Sequence, residues 1–133
     1  MSREKILQAI GWIEVLIGGV TLLGTALSLL FSFNTKPPSV LGFVLISGLL
    51  SLSLGAGILS YNEIAYKLLV YFSSVIVLSK FLLMADIIQF NGSLETLIPA
   101  PIKNSISIGY HLFVIIYLNQ HNIKKLFIKR KYT

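Results

Sequence analysis

Apolar residues fall along this chain in four long runs, at 6–33, 40–59, 64–90 and 102–118, separated by short polar breaks. The breaks have the composition of turns. "SFNTKPPS" (32–39) contains Pro37-Pro38, which halts a helix, and "SYNE" (60–63) is brief and polar. "NGSLETLIPAPIK" (91–103) ends with Pro99 and Pro101, which suit a helix start. A helix needs about 20 mostly apolar residues to cross the hydrocarbon core of a bilayer. Strands fit poorly, because the runs are long and do not alternate, and an unpaired strand would leave its amides unsatisfied in lipid. The pattern predicts an all-α membrane protein: one four-transmembrane-helix domain over residues 1–133, ending in a basic tail at 119–133. The fourth run is the shortest and carries His111.

Composition agrees with this reading. Of 133 residues, 55% are hydrophobic and 12% charged, whereas soluble domains carry roughly a quarter charged residues. The mean hydropathy is +0.82. With no cysteine, disulfides, thiolate metal sites and a Cys nucleophile are excluded. The net charge of +6 is concentrated, since five of the eleven Lys and Arg lie in the last ten residues, which suits a membrane surface better than nucleic acid. The first run is expected to be a retained helix rather than a removed signal peptide. Position 2 is Ser, and with no Cys for acylation no lipidation motif is present.

Lys and Arg also set the expected orientation. Four spans place Arg3, Lys5, Lys67, Lys124, Lys125, Lys129, Arg130 and Lys131 on one side and Lys36 and Lys103 on the other, eight against two. Both termini are therefore expected in the cytoplasm, with the chain in a prokaryotic plasma (inner) membrane. Residues 91–103 then form an outer loop, in which Asn91-Gly92-Ser93 matches a glycosylation triplet common by chance and Ser93 is a candidate helix cap. No repeat relates the two halves, so a duplicated transporter is not supported.

Candidate chemistry centres on Glu14, set in "GWIEVLIGG". At about 100° per residue, Gly11, Glu14, Gly18, Thr21, Thr25 and Ser28 share one arc, and Trp12, Leu16, Val20, Leu23 and Leu27 occupy the opposite one. Small residues and hydroxyls are what membrane helices use to approach and bond one another. Ser47, Gly48, Ser51 and Gly55 form a matching face on the second run, so the two seams are expected to pack. A carboxylate deep in lipid needs pairing, hydration or protonation. Counting depth along each run pairs Glu14 with Tyr117 and Lys80 with His111. It puts Asp86 near the outer interface, where Lys80 can snorkel towards it. Tyr66, Ser73 and Lys80 make a second polar stripe which, with Tyr110, His111 and Tyr117, suits a polar cavity. Trp12, Tyr61, Tyr66 and Tyr71 also suit interfacial anchoring.

In the tail, Ile123, Leu126 and Phe127 share a face ringed by Lys124, Lys125, Lys129 and Arg130, with Lys131 adjacent. This predicts a short amphipathic helix on the inner leaflet, capped by Asn119 or Asn122, with anionic lipids as partners. His111 alone makes no metal site, and a haem on it has little support. No His or carboxylate pair at i, i+3 or i+4 lies within a span, and no phosphate loop, nucleophile elbow or serine triad is visible. No cofactor, metal, nucleic acid or catalytic residue is expected.

"GWIEVLIGG", "YFSSVIVLSK" (71–80) and "IYLNQHNIKKLF" together resemble uncharacterised small four-helix prokaryotic integral membrane proteins, a resemblance that spans the chain and implies no activity. More locally, Glu14 in "IEVLIGG" resembles the lone first-helix glutamate of small multidrug resistance transporters. That resemblance implies a dimer exchanging protons for cationic drugs at Glu14. The chain departs from that family in having Leu22 and Leu23 where a lysine usually closes the first helix, and in adding Lys80 and His111. Two readings follow: a non-enzymatic accessory or oligomer-forming membrane module, with a copy of itself or another subunit as partner, or a proton-coupled small transporter or channel using Glu14.

Overall fold

A computed structural model describes residues 2–31, 38–85, 87 and 100–131. These form five α-helices, α1 (Arg3–Leu30), α2 (Pro38–Leu59), α3 (Glu63–Met84), α4 (Ala100–Leu118) and α5 (His121–Lys131), with no strand among the described residues. α1 starts ahead of its apolar run because Ser2 Oγ caps it, accepting the Lys5 N–H at 3.4 Å, and because Glu4 complements the N-terminal dipole. α3 closes at Met84, six residues short of the expected end, where the Ala85 N–H donates to Phe81 O. Asp86 and the Asn91–Ser93 triplet lie outside the described residues.

α1, α2 and α3 are long and apolar enough to cross a membrane. α4 is not in that group, because its 19 residues include Lys103, Asn104, Tyr110 and His111. Trp12, Leu16, Val20, Leu23 and Leu27 remain 51–67% exposed along the outer face of α1. Water would expel so continuous an apolar face, whereas acyl chains cover it without penalty.

The helices associate as two antiparallel hairpins. In the first, Gly18 of α1 lies so close to α2 that a Cβ there would collide with the Leu52 backbone and the Gly48 carbonyl. One turn of contact further, a Cβ on Gly55 would sit 2.7 Å from both Gly11 O and Val15 N. Glycine is required at these two crossings because backbone meets backbone. The small-residue arc predicted for α1 does face inward: Gly11, Glu14 and Gly18 are buried, and Thr21, Thr25 and Ser28 are half-buried. On α2, Gly48, Ser51 and Gly55 are buried and Ser47 is half-buried.

In the second hairpin, three polar rungs join α3 to α4. The Tyr66 hydroxyl donates to Leu118 O at 3.1 Å, Ser73 Oγ and His111 Nδ1 lie 3.2 Å apart, and the Lys80 ammonium donates to Asn104 Oδ1 at 3.0 Å. The rungs recur every seventh residue, two turns or about 10 Å apart along α3. The hairpins are linked through the α2–α3 turn. Asn62 N–H reaches Gly57 O and Tyr61 N–H reaches Ile58 O, which places Tyr61 in the left-handed region at φ 54°. Asn62 then caps α3, its Oδ1 accepting from Ile64 N at 2.8 Å and Ala65 N at 3.3 Å.

The hydrophobic core fills one end of the bundle. Leu7, Ile10, Ile58, Leu69, Val114 and Leu118 pack together there, with Ile123 and Phe127 of α5 fully buried among them. The Phe127 ring lies 4.7 Å from Tyr66 and 6.1 Å from Tyr61. The apolar face of the tail, expected to rest on the inner leaflet, is therefore seated on the protein itself. Asn119 turns its amide back to Ile115 O, and the Gln120 carbonyl receives the first N–H groups of α5, from Ile123 and Lys124.

Candidate functional site

Glu14 has no exposed surface. Helical periodicity places it in the α1 seam between Gly11 and Gly18, the two glycines that bring α2 closest, so its carboxylate is delivered into the middle of the bundle. Ser51 Oγ of α2 donates to Glu14 Oε2 and also lies 3.2 Å from the Glu14 backbone carbonyl. The Tyr110 hydroxyl of α4 donates to Oε1 at 2.9 Å. One carboxylate thus ties three helices, and hydroxyls supply its donors; among the described residues the ion pair is Lys67–Glu63, at 2.8 Å on the surface of α3. Every buried side-chain nitrogen and oxygen among the described residues has a partner.

Tyr117 does not reach Glu14. Its hydroxyl donates instead to Arg3 O at 2.9 Å, which aligns the end of α4 with the start of α1. Glu14 lies eleven residues beyond Arg3, about 16 Å along the axis, and Tyr110 lies seven residues back from Tyr117, about 10 Å. The long phenol spans the difference. Lys80 and His111 do not bond to one another: each takes a partner across the α3–α4 seam, Asn104 and Ser73 respectively. His111 is further enclosed by Phe72 and Tyr110, at ring-centroid distances of 6.3 and 5.0 Å, both edge-on.

Beyond Glu14, on the side away from the packed core, the hairpins separate around a cavity of about 380 Å³. All four long helices line it, through the second half of α1, the first half of α2, the second half of α3 and the first half of α4. Ser51 and His111 mark its inner end, and Lys80 and Lys103 mark its outer end. Thr21, Thr25, Ser47, Ser79 and Ser107 place hydroxyls along its wall, between apolar patches from Phe43, Phe72 and Ile76. Among the described residues no carboxylate lines it, and no group of three His, Asp or Glu side chains is placed to hold a metal ion.

Four partners were not singled out as such from the sequence: Ser51 and Tyr110 for Glu14, Ser73 for His111, and Asn104 for Lys80. The seven-residue spacing of Tyr66, Ser73 and Lys80 carried the signal for the last two, since an antiparallel neighbour must meet such a stripe at the same interval. Lys124 and Lys125 are exposed on α5. Of Lys129, Arg130 and Lys131 only the helical backbone is described. No protein-family model, curated protein or solved structure matches the chain.

Proposed function

We propose that the chain is a four-span protein of a prokaryotic plasma membrane, with both termini cytoplasmic, acting as a non-enzymatic accessory or self-associating membrane module. The observation that carries this reading is the state of Glu14: fully enclosed, with a hydroxyl donor on each carboxylate oxygen, it serves as a tie between helices. A proton carrier needs its acid to meet water from alternating sides. The fourth span is supported by the three rungs, because α4 runs beside α3 from Tyr66 to Lys80, and a bilayer crossed by α3 encloses α4 with it. Flanked by α3 and the cavity, the polar residues of α4 need not face lipid.

The rival reading, a proton-coupled transporter using Glu14, draws support from one fact: the cavity reaches Ser51, which is the donor to that carboxylate. Proteoliposomes separate the two. Under an imposed pH gradient the purified protein is expected to add no proton flux over empty vesicles, and Glu14→Gln is expected to behave identically. A flux present in the natural chain and absent in Glu14→Gln would establish the carrier instead. Cross-linking in the native membrane is expected to recover the chain joined to a second copy or to one constant partner; recovery as a monomer alone would count against a module.

A further inference from the structure

We infer that the cavity in the outer half of the bundle is a binding site for one anionic amphiphile, its phosphate or carboxylate head between Lys80 and Lys103 and its acyl chain running inward past Ile76 and Phe72 towards His111. This rests on the membrane-embedded reading above and adds a ligand class to it. The volume of about 380 Å³ lies within the range of small-molecule sites, roughly 300–1,000 Å³. Among the described residues the bundle is asymmetric: a packed core closes one end, and the helices stand apart around this cavity at the other. Val44, Phe72 and Ile76 give the cavity an apolar wall that an acyl chain can cover.

Charge selects the head group. Lys80 and Lys103 are both half-buried and line the same cavity end, so two ammonium groups share a region of low dielectric. Like charges so placed repel, and an anion between them reverses the sign of both interactions. Among the described residues the Lys80 ammonium gives one donor, to Asn104, and has two more to offer a ligand. Lys103 stands in the first turn of α4, which holds no acidic residue, so the positive end of that helix dipole adds to the same field.

Depth selects the tail. Lys80 is near the end of α3 and Lys103 near the start of α4, so both sit towards the same membrane boundary. The apolar wall lies below them, towards the bilayer centre. A ligand oriented by these walls has its charged head at the interface and its chain in the hydrocarbon, as a lipid of the same leaflet does. Ser79 and Ser107 also line the cavity and offer hydroxyl partners to the ester or hydroxyl oxygens of such a ligand. The shared chemistry is an oxyanion joined to an acyl chain; its source is either a resident phospholipid or a free fatty acid.

Native mass spectrometry of the detergent-purified protein tests this with phosphatidylglycerol, phosphatidylcholine, dodecanoate and inorganic phosphate as separate probes. One anionic amphiphile is expected to remain bound per chain, and phosphatidylcholine is expected to dissociate. Preference for phosphatidylglycerol over dodecanoate identifies a resident lipid, and the reverse identifies a free acid. Lys80→Met and Lys103→Met are each expected to weaken retention about tenfold, the scale of one charge-assisted hydrogen bond, whereas Lys67→Met at the far end of α3 leaves it unchanged. Should either lysine variant lose helical structure, Ser107→Phe, which fills the cavity without removing charge, must also abolish retention. Equal retention of phosphatidylcholine, displacement of the amphiphile by inorganic phosphate alone, or unchanged binding in Ser107→Phe would each overturn the site. A chain that stays in membranes through an alkaline wash yet retains no anionic amphiphile sinks this inference alone; a chain released by that wash sinks the membrane reading beneath it.

Discussion

Removing one oxygen atom, in Tyr110→Phe, tests whether Glu14 is a tie between helices. The phenol hydroxyl is the donor to Glu14 Oε1, and Glu14 has no exposed surface through which water replaces it. Two magnitudes bound the cost. Side-chain hydrogen bonds between membrane helices average about 0.6 kcal/mol, because the separated helices find other partners in the bilayer. A buried acceptor left without its donor costs about 1–3 kcal/mol, and more when it is charged. Here the acceptor is a carboxylate enclosed by three helices, so the second effect outweighs the first, and Tyr110→Phe is expected to lose about 1–2 kcal/mol. Glu14→Leu alone removes the acceptor shared by two hydroxyls: Ser51 Oγ keeps the backbone carbonyl of residue 14, and the Tyr110 hydroxyl is left unsatisfied. In Glu14→Leu with Tyr110→Phe, that unsatisfied hydroxyl is gone, so the double variant must be more stable than the sum of the single losses predicts. Unfolding in mixed micelles, followed by far-ultraviolet circular dichroism, gives all four free energies of the cycle. A coupling under about 0.3 kcal/mol would show that the bond carries no weight, and with it the structural account of Glu14 would fail. Tyr117→Phe is the internal comparison, because its hydroxyl meets a backbone carbonyl and its loss should leave the Glu14 coupling untouched.

The remaining expectations follow from packing and topology. Gly18→Ala places a Cβ against the Leu52 backbone and should cost about 1–3 kcal/mol, whereas Gly24→Ala, with nothing within 4 Å of the new atom, should be neutral or slightly stabilising in the same unfolding assay. Equal effects would mean that the α1–α2 seam is not in close contact. Phe127→Ala empties a fully buried ring site and should cost about 3–5 kcal/mol, releasing α5 to proteolysis even on vesicles rich in anionic lipid. Continued protection there would mean that lipid, not Tyr61 and Tyr66, holds the tail. Because the chain has no cysteine, single thiols at Ser2 and Lys125 report topology directly. Both should react with an impermeant maleimide from the same face of the membrane, and labelling from opposite faces would remove α4 as a span.

The helices were legible because burial in lipid is a one-dimensional signal: long apolar runs broken by Pro and polar residues leave no other economical structure. Their pairing was partly legible for the same reason that Gly18 and Gly55 are glycines. Backbone contact in a membrane demands small residues, and small residues at intervals of three and four on adjacent helices identify the faces that meet. The helix α5 was legible as well, but the surface that receives its apolar face was not. Its amphipathic pattern states that one face seeks an apolar surface, yet the same pattern serves for acyl chains and for a core formed by Leu7, Tyr66 and Leu118. Only the three-dimensional course of α4, which ends beneath that core, distinguishes them.

Depth was the harder quantity for the site. Matching Glu14 with Tyr117 assumed that each helix begins and ends where its apolar run does. The bond from Tyr117 to Arg3 O shows why the assumption failed: α1 starts with a polar, charged turn that the hydropathy pattern assigns to solvent, and α4 ends level with that turn. The shift of two turns hands Glu14 from Tyr117 to Tyr110, which projects from the same face of α4 seven residues earlier. The α3–α4 rungs escape this error because they depend on interval rather than on origin. A stripe at 66, 73 and 80 meets an antiparallel stripe at 118, 111 and 104 wherever the membrane boundary falls, so polar periodicity within a span fixes helix register more firmly than hydropathy fixes its ends. By the same logic the separation of Lys80 from His111 is a consequence of register. The rung that gives His111 to Ser73 must give Lys80 to Asn104 two turns further out, and there, with Lys103, it borders the cavity.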